Sequence, residues 1–298
     1  MPIKRPSDVM RRMDNKGAAL VAVGGGLIIF AVKLGAWYIS GSVALLSDAL
    51  ESIINIAASC LMLYSVYVSG RPADDEHHYG HQKVEYITSL TEGGLIITAA
   101  IFIIHTALER IANPLPITSV ESAVGINLFA TAMNGGLSWY LIRRSKETGS
   151  MALEGDAKHL LSDVVTSVGV AFGLYVSLFT GWTLADPIIA LIVSVLIIRM
   201  GVKIILKSSR GLMDPDCPET EEKIEALLDR HRSRFVDYHD IKTRRSGSQV
   251  FAELHLSIDG DMTVKEAHDF TDHLEDDLKK ELPEVSVTIH VEPPENQS

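Results

Sequence analysis

The chain has 298 residues, of which 47% are hydrophobic, and a formal net charge of −11 at pH 7. The acidic balance argues against a nucleic-acid partner, because binding phosphates requires a basic face. Two distant cysteines, Cys60 and Cys217, exclude a disulfide framework and indicate a reducing compartment for the soluble part.

Six apolar stretches in the first two thirds of the chain are long enough to cross a membrane, which takes about 20 mostly apolar residues. They are predicted at roughly 17–39, 43–68, 84–111, 122–142, 153–179 and 187–206. The sequence therefore predicts an α-helical membrane protein, with a six-helix transport domain over residues 1–210.

The distribution of Lys and Arg predicts how these helices are oriented. Basic residues precede the first span, lie between spans two and three and between spans four and five, and follow the sixth. The three other connections contain no Lys or Arg. The positive-inside rule then places both termini in the cytoplasm, and a bacterial plasma membrane is the expected location.

The last third of the chain is strongly charged and predicts a soluble domain. A helix is expected at 218–232, two strands at 235–245 and 249–258, a second helix at 263–282 and a third strand at 285–291. This α-β-β-α-β order is that of a small ferredoxin-like α+β domain. We predict it over residues 211–292, with a disordered tail at 293–298.

The second predicted span contains four neighbouring polar residues that we single out, and ionisable groups inside a membrane are costly enough to be functional candidates. These residues are Asp48, Glu51, Ser52 and Asn55. Asp48, Ser52 and Asn55 are spaced by four and three residues, so they share one face of the helix.

The fifth predicted span places His159 and Asp163 four residues apart, so both side chains face the same way. With Asp48 they would supply two oxygens and one nitrogen, a ligand set that suits zinc and leaves room for a fourth ligand. Hydrogen bonding between helices is the alternative interpretation of these residues.

A hydrophilic loop joins the second and third spans. It contains Asp74, His77 and His81, and the His-x-x-x-His spacing with an upstream aspartate favours a metal site. A solvated charged loop is the alternative.

The predicted soluble domain contains a further set of candidate ligands: His239, His255, His268, His290 and Glu292. His290 lies in a predicted strand and Glu292 is two residues beyond it, so the two share one face of that strand. From the residues alone, a structural role and metal binding both remain open.

The six spans, the intramembrane polar residues, the histidine-rich loop and the α-β-β-α-β domain together resemble the cation diffusion facilitator family, in particular its bacterial zinc and iron efflux members. The most specific matching segments are GSVALLSDAL at 41–50, PADDEHHYGH at 72–81, DAKHLLSD at 156–163 and YHDIKTR at 238–244. The resemblance implies a transport site made by two residues of the second span and two of the fifth. These map onto Asp48, Ser52, His159 and Asp163.

Ser52 departs from this family pattern, because the zinc-transporting members usually have Asp or His at that position. The departure leaves the fourth ligand open among Asn55, Glu51, a water molecule and the serine oxygen. It also leaves iron(II), cadmium and manganese as alternatives to zinc.

The resemblance further implies a loop metal site at Asp74, His77 and His81, and a binuclear site formed by the histidines and glutamate of the soluble domain. It implies a homodimer held by that domain, in which Lys83 pairs with Asp214. The implied activity is proton-coupled export of zinc through the lipid membrane. An enzyme is not expected, since the His-Glu-x-x-His motif is absent. A non-transporting metal sensor or scaffold is the remaining alternative.

Overall fold

The computed structural model describes residues 6–40, 43–113, 121–182, 184–247 and 249–294. It divides the chain into two compact units, one that ends at Ser209 and one that begins at Arg210. The tail predicted from residue 293 falls mostly outside the described residues.

Six long helices cover the described part of the first unit. They are α1 (Pro6–Ser40), α2 (Val43–Ser69), α3 (Val84–Ala112), α4 (Glu121–Thr148), α5 (Met151–Thr180) and α6 (Ala185–Leu212). Each coincides with a predicted span or extends beyond it. Among the described residues, four stretches are long and apolar enough to cross a membrane: Asp14–Gly35, Ser52–Ser69, Val84–Ala112 and Pro187–Leu212.

Small residues bring α3 close to both α5 and α6. A Cβ atom on Gly201 of α6 would lie 3.0 Å from the carbonyl oxygen of Gly93 on α3. A Cβ atom on Gly155 of α5 would lie 3.1 Å from Cα of Ser89 and 3.2 Å from Cγ of Glu92. Glycine at these positions therefore permits the close helix packing that is typical of membrane bundles, and it places Glu92 against α5.

The second unit contains α7 (Pro218–Arg230), β1 (Asp237–Ser246), β2 (Gln249–Ser257), α8 (Val264–Glu281) and β3 (Val285–Glu292). The strands form one sheet in the order β1-β2-β3, with β1 antiparallel and β3 parallel to β2. The predicted α-β-β-α-β order is confirmed. Helix α8 begins as predicted from Thr263, whose side chain and that of Glu266 form a capping box.

The sheet of the second unit has one face toward its helices and one face open. Successive side chains of a strand point to opposite faces. The buried residues of β2 are Val250, Ala252, Leu254 and Leu256, which pack in one core with apolar residues of α7 and α8. His255 therefore faces the open side, where its register partners are His239 on β1 and His290 on β3.

Candidate metal sites

A buried asparagine joins α2 to α5 near the middle of both helices. Nδ2 of Asn55 donates a hydrogen bond to Oδ2 of Asp163 at 2.6 Å, and Oδ1 of Asn55 lies 3.1 Å from Nε2 of His159. Asn55 and His159 are 9% and 4% exposed. Since a carbonyl oxygen only accepts, the His159 Nε2 atom carries the hydrogen in this arrangement. Three potential cation ligands thus meet between two helices.

Two of the four predicted transport residues, His159 and Asp163, lie in this cluster. The side chain of Asp48 falls outside the described residues, as does that of Glu51. Ser52 is also buried, three residues before Asn55 on α2. The contacts of Asn55 with His159 and Asp163 make Asn55 a candidate for the fourth position beside Ser52.

Two buried acids beside the cluster are absent from the predicted set of ligands. Glu92 of α3 is fully buried, its Oε2 atom lies 4.0 Å from Nδ1 of His159, and neither of its oxygens has a hydrogen-bond partner among the described residues. Asp156 of α5 is also fully buried and accepts hydrogen bonds of 3.0 and 3.2 Å from Ser59 Oγ. Both lie inside predicted spans, so the rule that intramembrane acids are functional candidates could have found them.

A third buried acid, Glu85, lies at the start of α3 and accepts hydrogen bonds from two serine hydroxyls at 2.6 and 2.5 Å. Glu85 and Glu92 are seven residues apart on α3, and Asp156 and Asp163 are seven apart on α5. A spacing of two helical turns puts each pair on one face of its helix. Buried carboxylates therefore extend from the start of α3, next to the α2–α3 loop, to the Asn55 cluster.

The predicted loop ligands meet between α2 and α3. Oδ1 of Asp74 lies 3.3 Å from Nδ1 of His77, and Oδ2 of Asp74 lies 3.2 Å from Nε2 of His81. The two imidazole rings are 4.4 Å apart between centroids. One carboxylate thus holds two histidines together, an arrangement that offers one oxygen and two nitrogens to a metal ion.

On the open face of the second unit, Glu292 contacts three histidines. Its Oε1 atom lies 3.1 Å from Nε2 of His239, and its Oε2 atom lies 3.2 Å from Nδ1 of His255 and 3.9 Å from Nε2 of His290. The two carboxylate oxygens thus face different histidines, as a bridging carboxylate would. The fifth predicted ligand, His268, is not in this group, and its Nδ1 atom lies 3.6 Å from Oδ1 of Asp272 on α8.

An aspartate adds negative charge beside this group. Asp240 lies in the bulge of β1 with a φ of 50°, and its Oδ2 atom is 3.9 Å from Nε2 of His255. The Lys242 ammonium, hydrogen-bonded to Asp240 at 2.6 Å, holds the pKa of that carboxyl below its usual range. Asp240 is therefore ionised at neutral pH and favours a cation nearby.

The resemblance predicts that Lys83 pairs with Asp214 in a homodimer. Within the second unit, Oδ2 of Asp214 lies 3.7 Å from Nη1 of Arg244. The pair with Lys83 stays a prediction.

Comparison with known proteins identifies the family. Residues 19–213 match the model of the cation efflux transmembrane domain, and residues 217–294 match that of the cytoplasmic domain of cation efflux proteins. The chain belongs to the cation diffusion facilitator family. The resemblance seen in the sequence is therefore confirmed, together with a helical membrane domain followed by an α+β domain. This facilitator is a cation efflux transporter, and its cytoplasmic domain matches the dimerisation domain of the family.

Similar proteins match this facilitator over nearly its whole length. An uncharacterized transporter of Synechocystis sp. is 36% identical over 93% of this chain and 90% of its own. The cation-efflux pump FieF of Pectobacterium atrosepticum is 32% identical over 94% of each chain.

Two solved structures match a smaller part of the facilitator. One is the zinc form of the putative zinc transporter CzrB. It is 45% identical over 27% of this chain and 92% of its own, with a TM-score of 0.26. The other is the metal-bound C-terminal domain of the CzcD transporter from Thermotoga maritima. It is 33% identical over 27% of this chain and 93% of its own, with a TM-score of 0.25.

Proposed function

We propose that this facilitator exports Zn²⁺ from the cytoplasm in exchange for protons. The observation that carries the proposal is the buried cluster of Asn55, His159 and Asp163 between α2 and α5. One nitrogen and two oxygens from this cluster, with a carboxylate from Asp48 or Glu51, would complete the four-coordinate set that zinc prefers. Iron(II), cadmium and manganese are the alternative substrates.

Proton exchange follows from the chemistry of these ligands. Carboxylate and imidazole groups must lose protons before they coordinate a metal, so a cation that enters the site displaces protons. Protons arriving from the other side would displace the cation after the helices rearrange. The site thus binds either protons or metal, which couples the two fluxes.

Glu92 is proposed to position the imidazole of His159. For the Nε2 atom that faces Asn55 to bind a cation, the ring must carry its hydrogen on Nδ1, the atom 4.0 Å from Glu92 Oε2. A carboxylate beside the distal nitrogen favours that tautomer and orients the ring. When zinc binds Nε2, His159 would therefore lose its hydrogen bond to Asn55 and donate one from Nδ1 to Glu92.

Replacing Glu92 with glutamine is expected to weaken the apparent zinc affinity of transport about 10- to 100-fold, as loss of such an orienting partner typically does. The measurement is initial zinc uptake into proteoliposomes over a range of zinc concentrations. Glu109→Gln, an exposed acid near the end of the same helix, is the matched control and should behave as wild type. Wild-type affinity in the Glu92→Gln protein would show that Glu92 does not position His159.

The orientation and the cytoplasmic domain complete the proposal. With both termini inside, the loop site of Asp74, His77 and His81 and the Glu292 cluster all face the cytoplasm. We propose that the loop site captures metal before transport. We also propose that the Glu292 cluster senses cytoplasmic zinc in a homodimer. The Lys83–Asp214 pair would help to hold the two subunits of this homodimer together.

The double variant His239→Ala, His290→Ala is expected to lower the number of zinc ions bound by the purified full-length protein, since it removes two of the nitrogens around Glu292. Equilibrium dialysis with elemental analysis gives the stoichiometry. His78→Ala serves as control, because His78 is exposed and lies outside the three groups of potential ligands. An unchanged zinc content in the double variant would rule out the sensing site.

A metal-selectivity assay tests the proposed substrate. Proteoliposomes with the wild-type protein are offered Zn²⁺, Fe²⁺, Cd²⁺ and Mn²⁺ separately, and zinc is expected to be taken up fastest. Faster uptake of another ion would reassign the substrate. Ser52, at the position where the zinc-transporting members usually have Asp or His, favours a sensor as the second candidate. That function would give no flux of any metal while the cytoplasmic domain still binds zinc.

A further inference from the structure

A third group of ligating side chains lies on the helical side of the second unit, opposite the sheet face that carries Glu292. It consists of His231, which follows the last residue of α7, and His273 and Asp277, which are one turn apart on α8. The spacing of four residues puts His273 and Asp277 on the same face of α8. None of the three is among the candidate ligands that the sequence predicts.

The distances in this group match those between the ligands of one metal ion. The Nε2 atoms of His231 and His273 each lie 3.5 Å from Oδ2 of Asp277. Two ligands about 2.0–2.1 Å from a tetrahedral zinc ion are about 3.4 Å from each other. A direct N–H···O hydrogen bond would instead measure about 2.7–3.2 Å.

His231 is already held in the tautomer that a metal ligand needs. Its Nδ1 atom lies 3.1 Å from the carbonyl oxygen of Leu227, and a carbonyl only accepts, so Nδ1 donates. In the neutral ring this leaves a lone pair on Nε2, the atom directed at Asp277. A backbone carbonyl on the distal nitrogen is a common partner of metal-binding histidines.

The two carboxylate oxygens of Asp277 contact different side chains. Oδ1 accepts a hydrogen bond of 2.7 Å from Nζ of Lys280, while Oδ2 faces the two histidines. A carboxylate oxygen and an imidazole lone pair repel each other unless a proton or a cation lies between them. The group therefore has an acceptor-rich centre that a cation would stabilise.

We propose that His231, His273 and Asp277 bind one divalent transition-metal ion, with zinc the best match and the fourth position open to water. The side chains of the three residues are 20%, 49% and 24% exposed, so the ion would reach them directly from solvent. Because His231 follows α7 and the other two belong to α8, the ion would clamp one helix to the other. This site is separate from the Glu292 cluster and from the transport site.

The test compares full-length protein in detergent with the double variant His231→Gln, His273→Gln. Equilibrium dialysis with zinc should show the variant binding one ion per chain fewer than wild type. In metal-free protein the two should unfold at similar temperatures, but zinc should raise the unfolding temperature less in the variant. His78→Gln is the matched control and should keep the wild-type stoichiometry. The isosteric variant Asp277→Asn removes the shared oxygen ligand with little change in volume, and it should also bind one ion fewer.

The result that overturns the proposal is an unchanged zinc stoichiometry in both variants. A lower unfolding temperature of the metal-free variants with that unchanged stoichiometry would identify the group as an ion-pair cluster of protonated histidines around Asp277. If the double variant does not fold, the stoichiometry of the Asp277→Asn protein decides between the two.

Discussion

Replacing Asp163 with asparagine is expected to reduce zinc transport by at least about 100-fold, because the site loses a negatively charged oxygen ligand. The asparagine has nearly the same volume, and its carbonyl oxygen still accepts the hydrogen bond that Asn55 donates to Asp163. The packing of α2 against α5 should therefore survive while the negative charge disappears. Initial zinc uptake into proteoliposomes measures the effect.

Asp14→Asn is the matched control for that experiment. Asp14 is an exposed residue of α1 that pairs with Arg144 at 3.2 Å, and exposed ion pairs contribute little. Its loss should leave uptake unchanged. Transport at the wild-type rate by the Asp163→Asn protein would show that the cation does not pass through the Asn55 cluster.

The second large effect on zinc transport is expected when Asn55 is replaced. Comparing it with a replacement of Ser52 should show which of the two supplies the fourth ligand. Asn55→Ala removes both the oxygen beside His159 and the donor to Asp163, so zinc uptake should fall at least about tenfold. Ser52→Ala removes one hydroxyl, a poor zinc ligand, on the preceding turn of α2, and should reduce uptake less than Asn55→Ala does. The same proteoliposome assay compares the two variants.

The opposite order of effects would assign the fourth transport position to Ser52, as the family pattern first implied. Asn55→Asp adds a further test, because a carboxylate at this position gives the site a stronger zinc ligand. That variant should keep zinc transport. If Asn55 served only to join the helices, the buried negative charge would destabilise the protein and transport would be lost.

The elements of the cytoplasmic domain could be predicted from the sequence to within a few residues. Helix α8 and strand β3 show this well: the sequence predicts α8 at 263–282 and the helix spans Val264–Glu281, and alternation predicts β3 at 285–291, one residue short of its end at Glu292. Such signals are local. Helices α1, α4 and α6 extend several residues past their apolar stretches, because a helix can continue through polar residues that hydropathy does not mark.

The transport site could be predicted only in part. Spacing puts Ser52 and Asn55 on neighbouring positions of one helical face, but the contact of Asn55 with His159 depends on the rotation of α2 against α5. Glu92 reaches the same histidine because Gly155 lets α3 approach α5, a tertiary contact that no local pattern encodes. The group around Asp277 likewise depends on how the end of α7 meets α8.

The most direct test of zinc–proton exchange follows proton movement in vesicles that contain a pH-sensitive dye. Adding zinc to vesicles with wild-type protein should drive protons in the direction opposite to zinc, and an imposed pH gradient should accelerate zinc uptake. Both responses should be absent in the Asp163→Asn protein. Zinc flux that moves no protons and ignores the gradient would contradict the account.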